Sequence, residues 1–141
     1  MVVLLCGPPG AGKTTAARAS GLQVFDRDDD EWSSEAQFRR RIADLSRTPT
    51  AQAVVIRAGA SSSARAKAAV LVGATHTFLL TEHKRELAHR VATRNRADKV
   101  TGLASIRTWF DKFDDQDGVR IFPGWDALDL GVTSGATSRE W

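Results

Sequence analysis

Short apolar runs alternate with longer polar or alanine-rich stretches along the chain. Val2-Val3-Leu4-Leu5-Cys6 is unbroken by any polar residue and stops at Gly7-Pro8-Pro9-Gly10. A run of that kind is buried on both faces, as in a strand of a parallel sheet. Leu22–Phe25, Ala53–Ile56 and Thr77–Leu80 repeat the pattern, and Val119–Phe122 is a fifth candidate. Between them, Lys13 to Ser20 lacks breakers and reads as a helix that Gly21 ends. Ser34 predicts an N-cap for a helix over Glu35 to Leu45, with Gln37 at the capping-box position. Ser61 or Ser62 caps an alanine-rich helix running to Leu71, with Gly73 just past its end. Glu82 to Arg96 reads as a polar helix, Val100 to Leu103 as a turn, and Ala104 to Phe113 as an amphipathic helix. Ile106, Trp109, Phe110 and Phe113 share one face of the last. Strands alternating with helices predict an α/β fold, a doubly wound parallel sheet of four or five strands with flanking helices. The strand order is not readable from the pattern. Residues 1–130 are expected to form one domain, and the Gly-, Ser- and Thr-rich residues 131–141 a loose tail.

Composition narrows the classes. The 141 residues are 42% hydrophobic and 26% charged, ordinary for one globular domain. The lone cysteine, Cys6, forms no internal disulfide, which fits a reducing cytoplasm. No apolar run reaches membrane-spanning length, and the five-residue apolar start has no basic flank, so neither a span nor a signal peptide is expected. A net charge of +3 permits an anionic partner without requiring one. Of the 20 basic residues 15 are arginine, which either phosphate recognition or GC-rich coding explains.

The first loop carries the strongest chemical signal. Gly7-Pro8-Pro9-Gly10-Ala11-Gly12-Lys13-Thr14 matches G-x-x-x-x-G-K-[ST] in full, after a strand and before a helix. Glycines let main-chain amides turn inward around phosphate oxygens, and the helix start adds its positive dipole end. Lys13 is expected to reach the β- and γ-phosphates and the Thr14 hydroxyl to ligate Mg²⁺; Thr15 would lie nearer the α-phosphate. The motif therefore predicts a P-loop NTPase fold binding MgATP. The chain is too short for an AAA+ motor with its separate helical domain. Guanine specificity is not expected, because no N-K-x-D string occurs.

The second strand runs into Asp26-Arg27-Asp28-Asp29-Asp30-Glu31. Ligands of open α/β sheets sit at the carboxyl ends of strands, so a carboxylate here is placed to take a proton from an attacking hydroxyl or to orient metal-bound water. Asp28 is the candidate base and a possible metal contact, with Asp29 behind it. Asp26, Asp30 and Glu31 are assigned to solubility or capping. Farther on, Arg90, Arg94 and Arg96 stand in a basic stretch, with Arg90 and Arg94 on one helix face. They read either as a lid closing on the transferred phosphoryl group or as a solvated basic face paired with Glu86 and Asp98.

Gly7-x-Pro9-Gly10-x-Gly12-Lys13-Thr14-Thr15, a strand, and then Arg27-Asp28-Asp29 resemble the kinase domain of polynucleotide 5′-hydroxyl kinases and their small relatives, including zeta-toxin-like kinases. The resemblance implies that Asp28, the first aspartate of the string, is the general base for the acceptor hydroxyl. Glu31 stands where that family places a substrate-contacting arginine. Arg94-Asn95-Arg96, Val100 and Ile106-Arg107-x-Trp109-Phe110-x-x-Phe113 are similar to the family's lid and following helix. Here the arginines are closer together, the link is shorter, and Thr101 replaces a proline. The likeness spans about residues 1–113 and implies lid roles for Arg94 and Arg96.

One departure matters. The third strand ends in Arg57, and no carboxylate follows for several residues. Arg57 is open between contacting an anionic acceptor, pairing with the acidic cluster, and marking an altered acceptor site. The expected function is a cytoplasmic, ATP- and Mg²⁺-dependent phosphotransferase, with Lys13, Asp28, Arg94 and Arg96 as the catalytic set. The acceptor is a hydroxyl of a nucleic acid, a modified base or a nucleoside or nucleotide. A small NTPase and an inactive nucleotide-binding module are the alternatives. Cys6 is expected in the core, His76, His83 and His89 make no zinc spacing, and Trp32 is a candidate for shaping an acceptor pocket.

Overall fold

A computed structural model describes residues 1–81 and 99–128. Five parallel strands form one sheet: β1 (Val2–Cys6), β2 (Gln23–Asp26), β3 (Ala53–Arg57), β4 (His76–Leu79) and β5 (Arg120–Ile121), in the order β2-β3-β1-β4-β5. β1 is central, flanked by β3 in the register Val2↔Ala53 to Cys6↔Arg57 and by β4 from Val3↔His76 to Cys6↔Leu79. All five β1 residues are buried, which is why that segment carries no polar position. The α/β P-loop fold expected from the sequence is the one observed.

Helices cover both faces. α1 (Lys13–Arg18) lies with Val3, Leu5, Val54, Ile56 and Phe78 on one side, where Ala17 is fully buried. α2 (Glu35–Ala43), α3 (Ser62–Val72) and α4 (Lys99–Lys112) serve the other side, where Leu4, Cys6, Phe38, Ile42, Val55, Val72 and Trp109 meet. The caps are local and legible. The Ser34 hydroxyl accepts from the Gln37 amide and the Ser61 hydroxyl from the Ala64 amide. The Gln37 side chain reaches back to the Ser33 amide at 2.6 Å, one residue earlier than a capping box requires. α3 ends at Gly73, whose φ of 68° is the left-handed C-cap conformation.

Several expectations shift; β4, for one, begins and ends one residue earlier than its apolar run. α2 stops at Ala43, and a 3₁₀ turn (Asp44–Arg47) replaces its last residues. β2 begins and ends one residue later than its apolar pattern, so Asp26 belongs to the strand. The turn expected at Val100 to Leu103 is instead the first part of α4, since no proline interrupts it and a single interior glycine costs a helix only about 1 kcal/mol. Ile106 and Trp109 on α4 are buried as expected, and the Trp109 ring stacks on Phe113 with centroids 5.2 Å apart. The helix expected over Glu82 to Arg96 and the tail of residues 131–141 lie outside the described residues.

The loops at the carboxyl edge of the sheet are clamped by side chains. The Trp109 indole Nε1 donates to the Ala58 carbonyl at 2.7 Å. Arg65, 1% exposed, donates to the carbonyls of Gly59, Ala60 and Asp114 and makes a two-point contact with the Asp117 carboxylate, at 3.0 Å from Nε and 2.8 Å from Nη2. The segment after β3 is thus tied to α4 and to the turn before β5.

Candidate active site

The phosphate loop is shaped by close approach. Gly7 leaves β1 so near the end of β4 that a Cβ there would lie 2.0 Å from the Leu80 carbonyl oxygen. Its amide donates to the Ala58 carbonyl at 3.1 Å, joining the loop to the clamped segment after β3. Ala11 closes a turn onto the Pro8 carbonyl at 3.3 Å, and Gly12, with φ 93°, swings the chain into α1 at Lys13. Lys13 folds back over the loop, its Nζ donating to the Gly7 carbonyl at 2.5 Å. Burial lowers the Lys13 pKa, while the acidic groups of Cys6, Asp26 and Asp28 push it upward.

Asp26 is the main correction to the sequence reading. Expected from the sequence to serve solubility or capping, it is instead 7% exposed at the end of β2. One carboxylate oxygen accepts from the Thr14 hydroxyl at 2.7 Å, the other from the Asp28 amide at 3.0 Å. β3 lies between β2 and β1 and ends in arginine, so the carboxylate facing the phosphate loop comes from β2. An alcohol paired with a buried carboxylate beside a phosphate loop is an oxygen donor set suited to Mg²⁺, which keeps waters and takes substrate phosphates as further ligands. Among the described residues no three His, Cys, Asp or Glu side chains converge on one point, so a metal here would draw its remaining ligands from water and phosphate.

Asp28, two residues on, lines the same cleft. This opening of about 770 Å³ is bounded by the phosphate loop, Lys13, Thr14, Asp26, Asp28 and Arg57. Arg57 turns toward α2 and donates to Glu35 Oε2 at 2.6 Å, with its guanidinium over the Phe38 ring at 5.3 Å. Arg27 approaches the other Glu35 oxygen at 3.4 Å. The partner of Arg57 is therefore Glu35 and not the Asp26–Glu31 cluster. The hydrogen bond from Arg57, opposed by partial burial and helped by the charges of Arg57, Arg39 and Arg27, holds the Glu35 carboxyl below its ordinary range.

The other candidates separate. Asp29 pairs at 3.7 Å with Arg18 on α1 and does not line the cleft. Trp32 packs edge-on against Phe38 with centroids 5.1 Å apart, also away from the cleft. Cys6 is fully buried, and burial pushes its thiol up to about 11 against the charges of Lys13, Arg65 and Arg57, so it is no nucleophile at neutral pH. Arg90, Arg94 and Arg96 lie outside the described residues.

No protein-family model matches the chain, and no curated protein matches it. Solved structures do resemble it. A gluconokinase from Sinorhizobium meliloti 1021 superposes with a TM-score of 0.58 at 18% identity, covering 99% of this chain and 93% of its own. A sugar kinase from Janibacter sp. gives 0.50 at 18% identity over 74% and 76% of the two chains. The YorR protein from Bacillus subtilis, in complex with phosphorylated GDP, gives 0.50 at 12% identity over 99% and 92%. At these identities the likeness establishes the fold.

Proposed function

We propose that the protein is an ATP-dependent phosphotransferase that moves the γ-phosphate of MgATP to a hydroxyl of a small molecule, of nucleoside size or smaller. The observation that carries this reading is the pairing of Thr14 with Asp26 inside a complete phosphate loop, with Asp28 on the same rim. A missing carboxylate at the end of β3 is the reason to consider an inactive module; Asp26 on β2 supplies that carboxylate. A cleft of about 770 Å³ that must also admit nucleotide phosphates favours a small acceptor over a polymer. The gluconokinase and the sugar kinase that share the fold favour the same choice.

The residues divide the work by position. Main-chain amides of the loop and the α1 start hold the β- and γ-phosphates, and Lys13, released from the Gly7 carbonyl, follows the charge as it moves. Thr14, with Asp26 behind it, would hold Mg²⁺ together with water, and the metal would supply charge neutralisation at the nucleotide phosphates. Asp28 accepts the proton of the attacking hydroxyl. Arg57, steadied by Glu35, borders the acceptor side. From the sequence, Arg94 and Arg96 are assigned to screening the transferred phosphoryl group, with Arg90 as a third candidate.

The direct test is incubation of the full chain with γ-labelled ATP, Mg²⁺ and a panel of small alcohols. Label in one alcohol, abolished in Lys13→Ala, is the expected outcome. Release of free phosphate alone would assign the protein to NTPases, and absence of MgATP binding would remove the reading altogether.

A further inference from the structure

A second compartment adjoins the catalytic cleft. It measures about 550 Å³ and shares Pro9 and Ala58 with the cleft. Its walls are Pro9, Ala58, Ala60, Ala104, Ser105, Thr108 and Trp109. Lys112 is the one charged lining side chain, and no carboxylate or amide side chain faces it among the described residues. The compartment lies on the α4 side of the sheet, opposite α1. Pro9, in the loop that Lys13 closes, and Ala58 line both spaces, so the two are continuous. An acceptor whose hydroxyl is in the catalytic cleft can extend its body past Pro9 and Ala58 into this space.

We infer that the acceptor is an alcohol carried on a flat, largely apolar ring, seated between the Ala58–Ala60 segment and α4. This deepens the phosphotransferase reading and rests on it. The argument is one of matching chemistry. A polyol or sugar acid brings several hydroxyls that each need a partner on burial, and among eight lining residues only Ser105, Thr108 and Lys112 carry a polar side-chain group facing the space, against the apolar Pro9, Ala58, Ala60, Ala104 and Trp109. A flat ring brings apolar faces that such walls accommodate, and 550 Å³ is within the size of small-ligand sites. The walls are held in place beforehand. Trp109 is fixed by its hydrogen bond to the Ala58 carbonyl, and Arg65 holds the Gly59 and Ala60 carbonyls. A preorganised wall does not need to be ordered by the ligand. In the transfer step the ring-borne hydroxyl oxygen forms a bond to the γ-phosphorus. The bond from that phosphorus to the β–γ bridging oxygen breaks, the hydroxyl proton passes to Asp28, and ADP leaves with the bridging electron pair.

The test measures binding and transfer separately. Thymidine, benzyl alcohol and gluconate are titrated into the full chain saturated with Mg²⁺ and a non-hydrolysable ATP analogue, with ligand-observed NMR as the readout. The same titrations are run on Thr108→Trp and Ala104→Trp, two exposed positions where an indole would fill the compartment. Thymidine and benzyl alcohol should bind the parent chain and gluconate should not. Both variants should take up the ATP analogue yet lose ring affinity by about ten-fold or more. With γ-labelled ATP, label is expected on free thymidine and not on a short thymidine oligonucleotide bearing a free 5′-hydroxyl; label on the oligonucleotide alone would overturn the assignment of a small acceptor. Preferential binding or labelling of gluconate, unchanged ring affinity in both variants, or uptake of the nucleotide with no ring binding would each overturn the inference and leave the phosphotransferase reading standing. Failure of the parent chain to take up the nucleotide would overturn both.

Discussion

Asp26 and Asp28 are separated by one residue and face the same cleft, but they make different demands on a mutant. Asp28→Asn should leave MgATP affinity near that of the parent and lower transfer by about two to four orders of magnitude, the usual contribution of a positioned general base. Transfer at the parental rate would remove Asp28 from the mechanism. Asp26→Asn keeps an oxygen to accept from Thr14 and removes the buried charge. ATP affinity should then fall about 10- to 100-fold with Mg²⁺ present and change little with the metal chelated. Calorimetry in both conditions decides this, and equal losses would mean that Asp26 serves the loop and not the metal. Gly7 is constrained more simply. Gly7→Ala places a methyl 2.0 Å from the Leu80 carbonyl oxygen, which is main chain and cannot rotate away. We expect a loss of roughly 3 kcal/mol, read by denaturant unfolding, as β1 and β4 move apart.

At the scale of elements, the clamp around Arg65 is the contact most exposed to test. Asp117→Asn removes the charged partner of a buried guanidinium that keeps its three carbonyl acceptors, and should cost about 2 kcal/mol at neutral pH. The Arg65 hydrogen bond, reinforced by its charge and opposed by partial burial, holds the Asp117 carboxyl below its ordinary range. The folded chain therefore binds that proton less readily than the unfolded chain. Its stabilisation is complete above the ordinary aspartate value of about 3.9 and is lost as pH falls through the lower folded value. The stability gap between parent and variant should narrow below about pH 4, and a gap independent of pH would contradict this account. The elements themselves were unevenly legible. Ser34, Ser61 and Gly73 act on amides and carbonyls within a few residues, so the limits they set could be read from the chain. The role of Asp26 could not, because it depends on β2 pairing with β3 so that the end of β2 meets Thr14, a fact of strand order that no local pattern carries. The start of α4 was missed for a different reason. Gly102 looks like a breaker, and its small cost is absorbed by a helix that continues for ten more residues to Lys112. Similarly, the partner of Arg57 is set by α2 bringing Glu35 across from another part of the chain.

For the molecule as a whole, nucleotide uptake and stability are one equilibrium seen from two sides. If MgATP binds only the folded chain, a concentration one hundred times its dissociation constant should add about 2.7 kcal/mol to the unfolding free energy. Thermal melts with and without the nucleotide read this directly, and Lys13→Ala should abolish most of the difference. Among the described residues no helix is long and apolar enough to cross a membrane.

Cys6 gives that equilibrium a clock. The chain's one thiol is sealed at the centre of the sheet, directly under the phosphate loop. A coloured disulfide reagent can reach it only during moments when the sheet parts, so the rate of colour formation counts those moments. Adding MgATP should slow the count by the same factor by which it shifts the melt, with no label, fusion or second cysteine to introduce.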